Sequence, residues 1–312
     1  MMFVDVHGHL APPNEGRGGP PGLHDPEAMI EGKLARGIGR TIIGSPVGAG
    51  SMLPGTGAAN YRQSADQVRA HNEALGELVR AYPGHLRAYA YLDPFGGDKQ
   101  LQQAAELVAE PEFVGLIVNT SVEGRYLSSP RADDFFAFVA ELKVPVLLHP
   151  PAEPVGTESI LDLGPGVVEH VARLNDVTMG LAALICAGRL ARDPDLRLIA
   201  PAGGGGLSCL GAKLDLAVAP RPGRETAEPW SRGVRPSDHL RRILVDTSCP
   251  SPGQLRQNLE VFGSRNVLFG TDAPPLMSEL DSIVGLVSEV VTSDTDLARI
   301  ARENAERVFG EW

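Results

Sequence analysis

The sequence predicts one (β/α)8 barrel over residues 1–312. Three observations carry that prediction. Eight short apolar or β-branched runs recur along the chain, stretches of helical period lie between them, and His or Asp residues stand at the ends of several runs. Strand and helix patterns in alternation mark parallel βα units. Eight such units match a closed parallel barrel better than an open doubly wound sheet. A chain of 312 residues, 43% of them hydrophobic, is long enough for one core of this kind.

The predicted strands are Phe3–Val6, Arg40–Gly44, Leu86–Tyr91, Gly115–Val118, Val144–His149, Leu196–Ala200, Ile243–Thr247 and Val267–Gly270. Amphipathic helical patterns cover Asp25–Arg36, Ser64–Tyr82, Ala132–Lys143, Pro252–Phe262 and Asp294–Phe309. In the last, Leu297, Ile300 and Ala301 repeat at helical spacing while Arg299 and Arg302 are left for solvent. Three segments exceed what a short connection needs: Ala11–Gly22, Gly48–Asn60 and Pro220–Pro236. Loops after strand C-termini surround the mouth of a barrel, so residues 11–22 and 48–60 are lid candidates, with solvated linker as the plainer alternative.

The formal net charge of −11 and the pI near 5.2 argue against a nucleic-acid or anionic-membrane surface, which needs clustered Lys and Arg. A small acidic ligand remains compatible, because screening lets one local Arg outweigh distant charge. Cys186, Cys209 and Cys249 are odd in number and lack metal-ligand spacing, so they read as reduced, semi-buried thiols. A strand pattern starts at Phe3 with no basic and apolar leader before it, and no apolar run reaches membrane-spanning length. A cytoplasmic protein is the expectation.

The strongest local signal is His7-Gly8-His9 at the end of the first strand. Side chains at i and i+2 share one side of a strand, so both imidazoles face the same way. His149 ends the fifth strand and Asp272 the eighth. A barrel gathers strand ends around one axis, which turns separated residues into a cage. Three imidazoles and a carboxylate suit one divalent ion, zinc first and manganese as the alternative. Taken singly, His149 reads as a core histidine and Asp272 as a helix cap; together the four read as ligands. His24, His71 and His85 take an ordinary structural reading. His170 and His239 read as surface or interface residues, His170 being notable for its place after the fifth strand.

These pieces carry a family resemblance. His7-Gly8-His9 with Pro12, Ala81-Tyr82-Pro83, Leu92-Asp93-Pro94, Pro145–Pro150, Pro194-Asp195-Leu196-Arg197, Phe269-Gly270-Thr271-Asp272 and Asn304–Phe309 occur in order over nearly the whole chain. The sequence resembles the amidohydrolase superfamily, in the amidohydrolase-2 branch that includes aminocarboxymuconate-semialdehyde decarboxylase. The resemblance implies a mononuclear metal centre that activates water or polarises a small-molecule carboxylate substrate, and a homodimer, to which only residues 220–236 offer a hint. Binuclear relatives use a bridging lysine at the fourth strand, where this chain has Asn119.

One departure stands out. Such enzymes follow the sixth strand with a histidine and glycines, and that histidine serves as general acid or base. Here the stretch reads Pro201-Ala202-Gly203-Gly204-Gly205-Gly206, with Ala202 in the histidine's place. Losing a positioned acid–base group costs on the order of 10²–10⁴ in rate. Ala202 is either a replacement of histidine that stalls turnover or the native residue of a chain whose chemistry has changed; the retained ligands and glycines favour the former. Asp272 is then both ligand and proton carrier. Asn119 and Asp246 end the fourth and seventh strands as substrate-facing candidates, Asp246 reading equally as a structural hydrogen-bonding residue. Arg62 and Arg125, together with Arg17, Arg221 and Arg224, are carboxylate-fork candidates that also read as ordinary solvated arginines, and Trp230 fits a pocket or an interface. The leading expectation is a lyase that decarboxylates a small unsaturated or aromatic acid. A hydrolase of a C–N, C–O or C–C bond comes next, then a non-catalytic ligand-binding barrel.

Overall fold

The computed structural model describes residues 1–12, 22–44, 63–220, 230, 233–249 and 251–311. Within them eight parallel strands lie in chain order: β1 (Phe3–Gly8), β2 (Ile38–Ile43), β3 (Leu86–Tyr91), β4 (Phe113–Asn119), β5 (Val146–His149), β6 (Leu198–Ala200), β7 (Leu244–Asp246) and β8 (Val267–Leu268). The eighth strand returns to the first. Val6 N–H donates to the Phe269 carbonyl at 2.9 Å, Asp272 N–H donates to the His7 carbonyl at 2.8 Å, and Gly8 pairs with Ala273 in a parallel bridge. The chain is a TIM barrel, and the expected strands are its strands, with ends moved by a few residues.

Alternation along each strand divides the apolar residues between two layers. Val4, Val6, Ile42, Tyr89, Tyr91, Ile117, Leu147, Ile199, Leu244 and Leu268 share one buried cluster inside the cylinder. Their strand neighbours, such as Leu116, Val118, Leu148 and Val245, pack outward against the helices. Ala305, Val308 and Phe309 join the inner cluster from the C-terminal helix, and Phe309 meets the Tyr89 ring edge-on with centroids 5.9 Å apart. The interior is therefore filled below, and the space available for chemistry lies at the C-terminal ends of the strands.

The helices begin where the sequence predicts. Asp25 caps Pro26–Leu34 by accepting from Ala28 N–H at 3.0 Å, with proline at the first helical position. Ser64 and Gln67 form a reciprocal capping box ahead of Ala65–Ala81. Further helices, Asp98–Val108 and Arg173–Cys186, cover the third and fifth crossovers. The lid candidate 48–60 and most of 11–22 and 220–236 lie outside the described residues. Trp230, inside the last of these, is buried against its own chain; its Nε1 donates to the Cys186 carbonyl at 2.9 Å. His239 stacks edge-on against it and is buried too, which corrects the surface reading, whereas His170 is exposed. None of the described helices is long and apolar enough to cross a membrane.

One buried charge cluster ties β1, β8 and the first helix together. Asp5 accepts from Lys33 Nζ at 2.6 Å, Thr271 Oγ1 at 2.7 Å, and the backbone N–H groups of Thr271 and His7 at 3.0 Å each. Both charged side chains are almost wholly excluded from water. Removing one partner of such a pair leaves an uncompensated charge and costs about 3–5 kcal/mol. Lys33→Met is expected to lower the urea midpoint accordingly, and Asp5→Asn added to it should recover part of the loss.

The cysteines differ in exposure more than the sequence suggests: Cys209 is exposed, Cys186 half-buried and Cys249 buried. Burial, with the Asp246 carboxylate beside it, pushes the Cys249 thiol up to about 12, so it stays protonated at any ordinary pH. Iodoacetamide at pH 8 should label Cys209 and spare Cys249 in the folded protein.

Candidate metal centre

The site begins with a break in the first strand. Asp5 faces Lys33 in the helical layer and Val6 lies in the inner cluster, so strict alternation would send His7 outward. The β1–β2 register shifts between Asp5 and Gly8, and His7 turns inward to reach Asp246. Gly8 has no room for a side chain at this break. A Cβ there would stand 2.3 Å from Thr41 Cγ2 and 2.9 Å from Lys33 Nζ. Gly270 is equally confined, since a Cβ would stand 2.8 Å from that of Asp246 and 3.1 Å from that of His7.

Each of the first two imidazoles is held by one ring nitrogen. His7 Nδ1 donates to Asp246 Oδ2 at 2.6 Å, and His9 Nδ1 donates to the Gly44 carbonyl at 2.5 Å. These acceptors fix the proton on Nδ1 and leave the lone pair on Nε2, the arrangement that prepares histidine for a metal. The two Nε2 atoms are 3.1 Å apart, and Asp272 Oδ1 lies 2.9 Å from His9 Nε2 and 3.6 Å from His7 Nε2. His149 closes the group, its ring centroid 5.0 Å from that of His9 and 5.7 Å from that of His7. Its Nδ1 is enclosed and has no hydrogen-bond partner. One ligand atom from each of the four residues lies within 4.8 Å of the others. Two freed lone pairs, an orphaned ring nitrogen and a carboxylate fit one divalent ion.

The electrostatics agree with that fit. Burial opposes a charge on His7, yet the carboxylates of Asp272, Asp246 and Asp5 outweigh it and raise its pKa. Burial, the neighbouring imidazoles and Arg173 push His149 well below its ordinary value, so it is a neutral ligand in waiting. Burial alone would raise Asp272, but His7, His9 and Arg173 together hold its carboxyl below the usual range. Asp272 also sits in a left-handed backbone conformation, φ 55°, which a non-glycine residue adopts only where its surroundings demand it.

The remaining sequence candidates separate. Asp246 is fully buried, and its oxygens are taken by His7 Nδ1, Ser248 Oγ, Ser248 N–H and Gly203 N–H. It orients His7 and has no face left for substrate. Ala202 adopts φ 52° on the turn after β6; its N–H donates to Ser248 Oγ at 3.0 Å, which ties it to the Asp246 network. Asn119 is buried beside His149 in register, with Oδ1 enclosed and unpartnered. Arg125 is exposed on a two-stranded ribbon, Ser121–Val122 with Arg125–Tyr126. Arg62, Arg17, Arg221 and Arg224 lie outside the described residues. The sequence reading passes over Arg173, which acts electrostatically on both Asp272 and His149; from sequence it is one basic residue in a long helical stretch. A groove between helices Ala65–Ala81 and Asp98–Val108 is also lined by charge, but Arg69 and Arg80 there are paired with Glu73, Glu106 and Glu110.

Purified protein loaded with zinc or manganese should hold one ion per chain. Partners that orient a metal-bound histidine are typically worth about 10–100-fold in affinity. Asp246→Asn is therefore expected to weaken metal binding by that factor in a chelator competition, with the fold retained.

Residues 4–310 match the family model described as Amidohydrolase. Over 278 residues the chain is 25% identical to gamma-resorcylate decarboxylase of Rhodococcus jostii, a match that covers 82% of this chain and 80% of that one. Its fold superposes on 2,6-dihydroxybenzoate decarboxylase complexed with 2,6-dihydroxybenzoate with a TM-score of 0.81, at 23% identity and 99% coverage of both chains. A dihydroxybenzoic acid decarboxylase from Polaromonas sp. JS666, with bound manganese and the inhibitor 2-nitroresorcinol, superposes with a TM-score of 0.79 at 20% identity, covering 99% of this chain and 96% of that one. The chain belongs to the amidohydrolase family, in its amidohydrolase-2 branch.

Proposed function

We propose that the protein is a metal-dependent decarboxylase of small aromatic or unsaturated carboxylic acids, with turnover limited by the alanine at position 202. The observation that carries the reading is the convergence of His7, His9, His149 and Asp272 at the barrel mouth, in a chain similar to gamma-resorcylate decarboxylase. The donor set favours zinc, and the manganese of the Polaromonas neighbour makes that ion the alternative.

An ion held by these four residues would supply Lewis-acid polarisation of a substrate oxygen. The chain's own groups do the rest. Asp272 is the ligand with a face open to the mouth, its side chain 29% exposed against 2% for His7. It is positioned to move a proton onto the carbon that loses CO2: the C–C bond breaks, its electron pair takes the proton, and CO2 leaves. The lowered pKa keeps Asp272 ionised at rest, so the proton must first reach it from substrate or water. A histidine at position 202 would serve that transfer; a methyl group cannot. The strained turn survives without it. A left-handed non-glycine residue costs on the order of 1–3 kcal/mol, and Ala202 still adopts that conformation. Asn119 Oδ1, enclosed beside His149, is a ready acceptor for a substrate hydroxyl. A cytoplasmic homodimer completes the proposal.

The test is CO2 release from 2,6-dihydroxybenzoate and a panel of hydroxybenzoates and unsaturated acids, using metal-loaded protein and its Ala202→His variant. A rate gain on the order of 10²–10⁴ in the variant is expected. Hydrolytic products without CO2 would replace the lyase reading with a hydrolase. Ligand binding without turnover in either form would leave a binding barrel.

A further inference from the structure

The crossover after β5 carries a buried cation that makes no close ion pair among the described residues, although the carboxylates of Asp272 and Glu169 act on it from further away. Arg173 opens helix Arg173–Cys186, immediately after a π-turn at Val168–Ala172. Such widened turns recur at functional sites because they re-aim the side chains that follow. Arg173 Nη2 donates to the carbonyl of Pro150, the neighbour of the ligand His149, at a long 3.5 Å. Its Nε is enclosed and has no hydrogen-bond partner among the described residues. No carboxylate lies within ion-pair distance of it among the described residues. The contact with Pro150 sets the guanidinium beside the residue that follows His149, and its charge acts on Asp272 and on His149.

Guanidinium stays protonated in proteins, and its donors match a carboxylate in a planar fork. An enclosed donor without an acceptor is costly and persists where a ligand supplies the missing oxygen. Asn119 Oδ1, on the β4 strand next to His149, offers the complementary vacancy of an acceptor without a donor. Donor and acceptor thus flank the same histidine.

We propose that Arg173 anchors the substrate's carboxylate through its Nε–H and a neighbouring Nη–H, while Asn119 Oδ1 receives an adjacent hydroxyl. The inference rests on the decarboxylase reading and narrows it to acids bearing a hydroxyl beside the carboxylate. Arg173 holds the carboxylate in the ground state, and the contact weakens as the charge leaves that group on the way to CO2, so its loss raises KM without lowering kcat.

The probes are 2,6-dihydroxybenzoate and resorcinol, which differ only by the carboxylate, titrated calorimetrically into metal-loaded and metal-free protein. Wild-type protein should prefer the acid in both forms. Arg173→Gln should lose roughly ten- to a hundredfold in affinity for the acid, as expected for a charged hydrogen bond, and bind resorcinol unchanged. Arg173→Lys should fall between, a point charge without the fork. In the Ala202→His background, Arg173→Gln should raise KM with kcat within a few-fold. Equal affinity of wild type and Arg173→Gln for the acid, or no preference for the acid in wild type, overturns the inference. A preference for the acid without CO2 release from either the wild type or the Ala202→His variant would sink the decarboxylase reading and keep the anchor.

Discussion

The short hydrogen bond from His7 Nδ1 to Asp246 Oδ2 is the contact on which the rest of the site depends. It joins β1 to β7 inside the barrel, sets the tautomer of His7, and directs Nε2 toward the other ligands. Its geometry also explains two glycines. Gly270 lets the β7 and β8 chains approach closely enough for Asp246 to reach His7, and Gly8 lets the first strand break its alternation. On the far side of Asp246, Ser248 and the Gly203 N–H hold the carboxylate still. The turn carrying Ala202 is fastened to the same network through its N–H bond to Ser248 Oγ.

Charge balance gives the site its readiness for a cation. Two buried carboxylates, Asp5 and Asp246, stand behind His7, and a third, Asp272, stands in front. Asp5 is answered by Lys33, and the charge of Arg173 acts on Asp272. The imidazoles are left crowded, with Nε2 atoms at hydrogen-bond distance and one ring nitrogen unpartnered. Such crowding is tolerable when a divalent ion replaces the mutual contacts, and metal binding is then also a contribution to folding.

Much of this was legible in the sequence. The strand runs, the helix starts at Asp25 and Ser64, and the convergence of His7, His9, His149 and Asp272 follow from periodicity and strand-end position. What stayed illegible depends on three-dimensional approach. Alternation predicts that His7 and His9 share a side, but the shift that brings His7 onto the side of Val6 comes from Gly8 packing on Thr41. From sequence Asp246 reads as much like a substrate contact as a structural residue, and only its contact with His7, reached past β8, separates the two. Arg173 had no motif to mark it, because its significance lies in an unpaired donor. His239 and Trp230, buried on each other, likewise carry no signature in a polar segment.

X-ray absorption spectroscopy on the zinc- or manganese-loaded protein tests the central claim most directly. The account predicts one ion per chain with imidazole scattering from three histidines and an oxygen shell, at about 2.0–2.2 Å for zinc. An ion without imidazole back-scattering, or a folded protein that takes up no divalent metal, would contradict it.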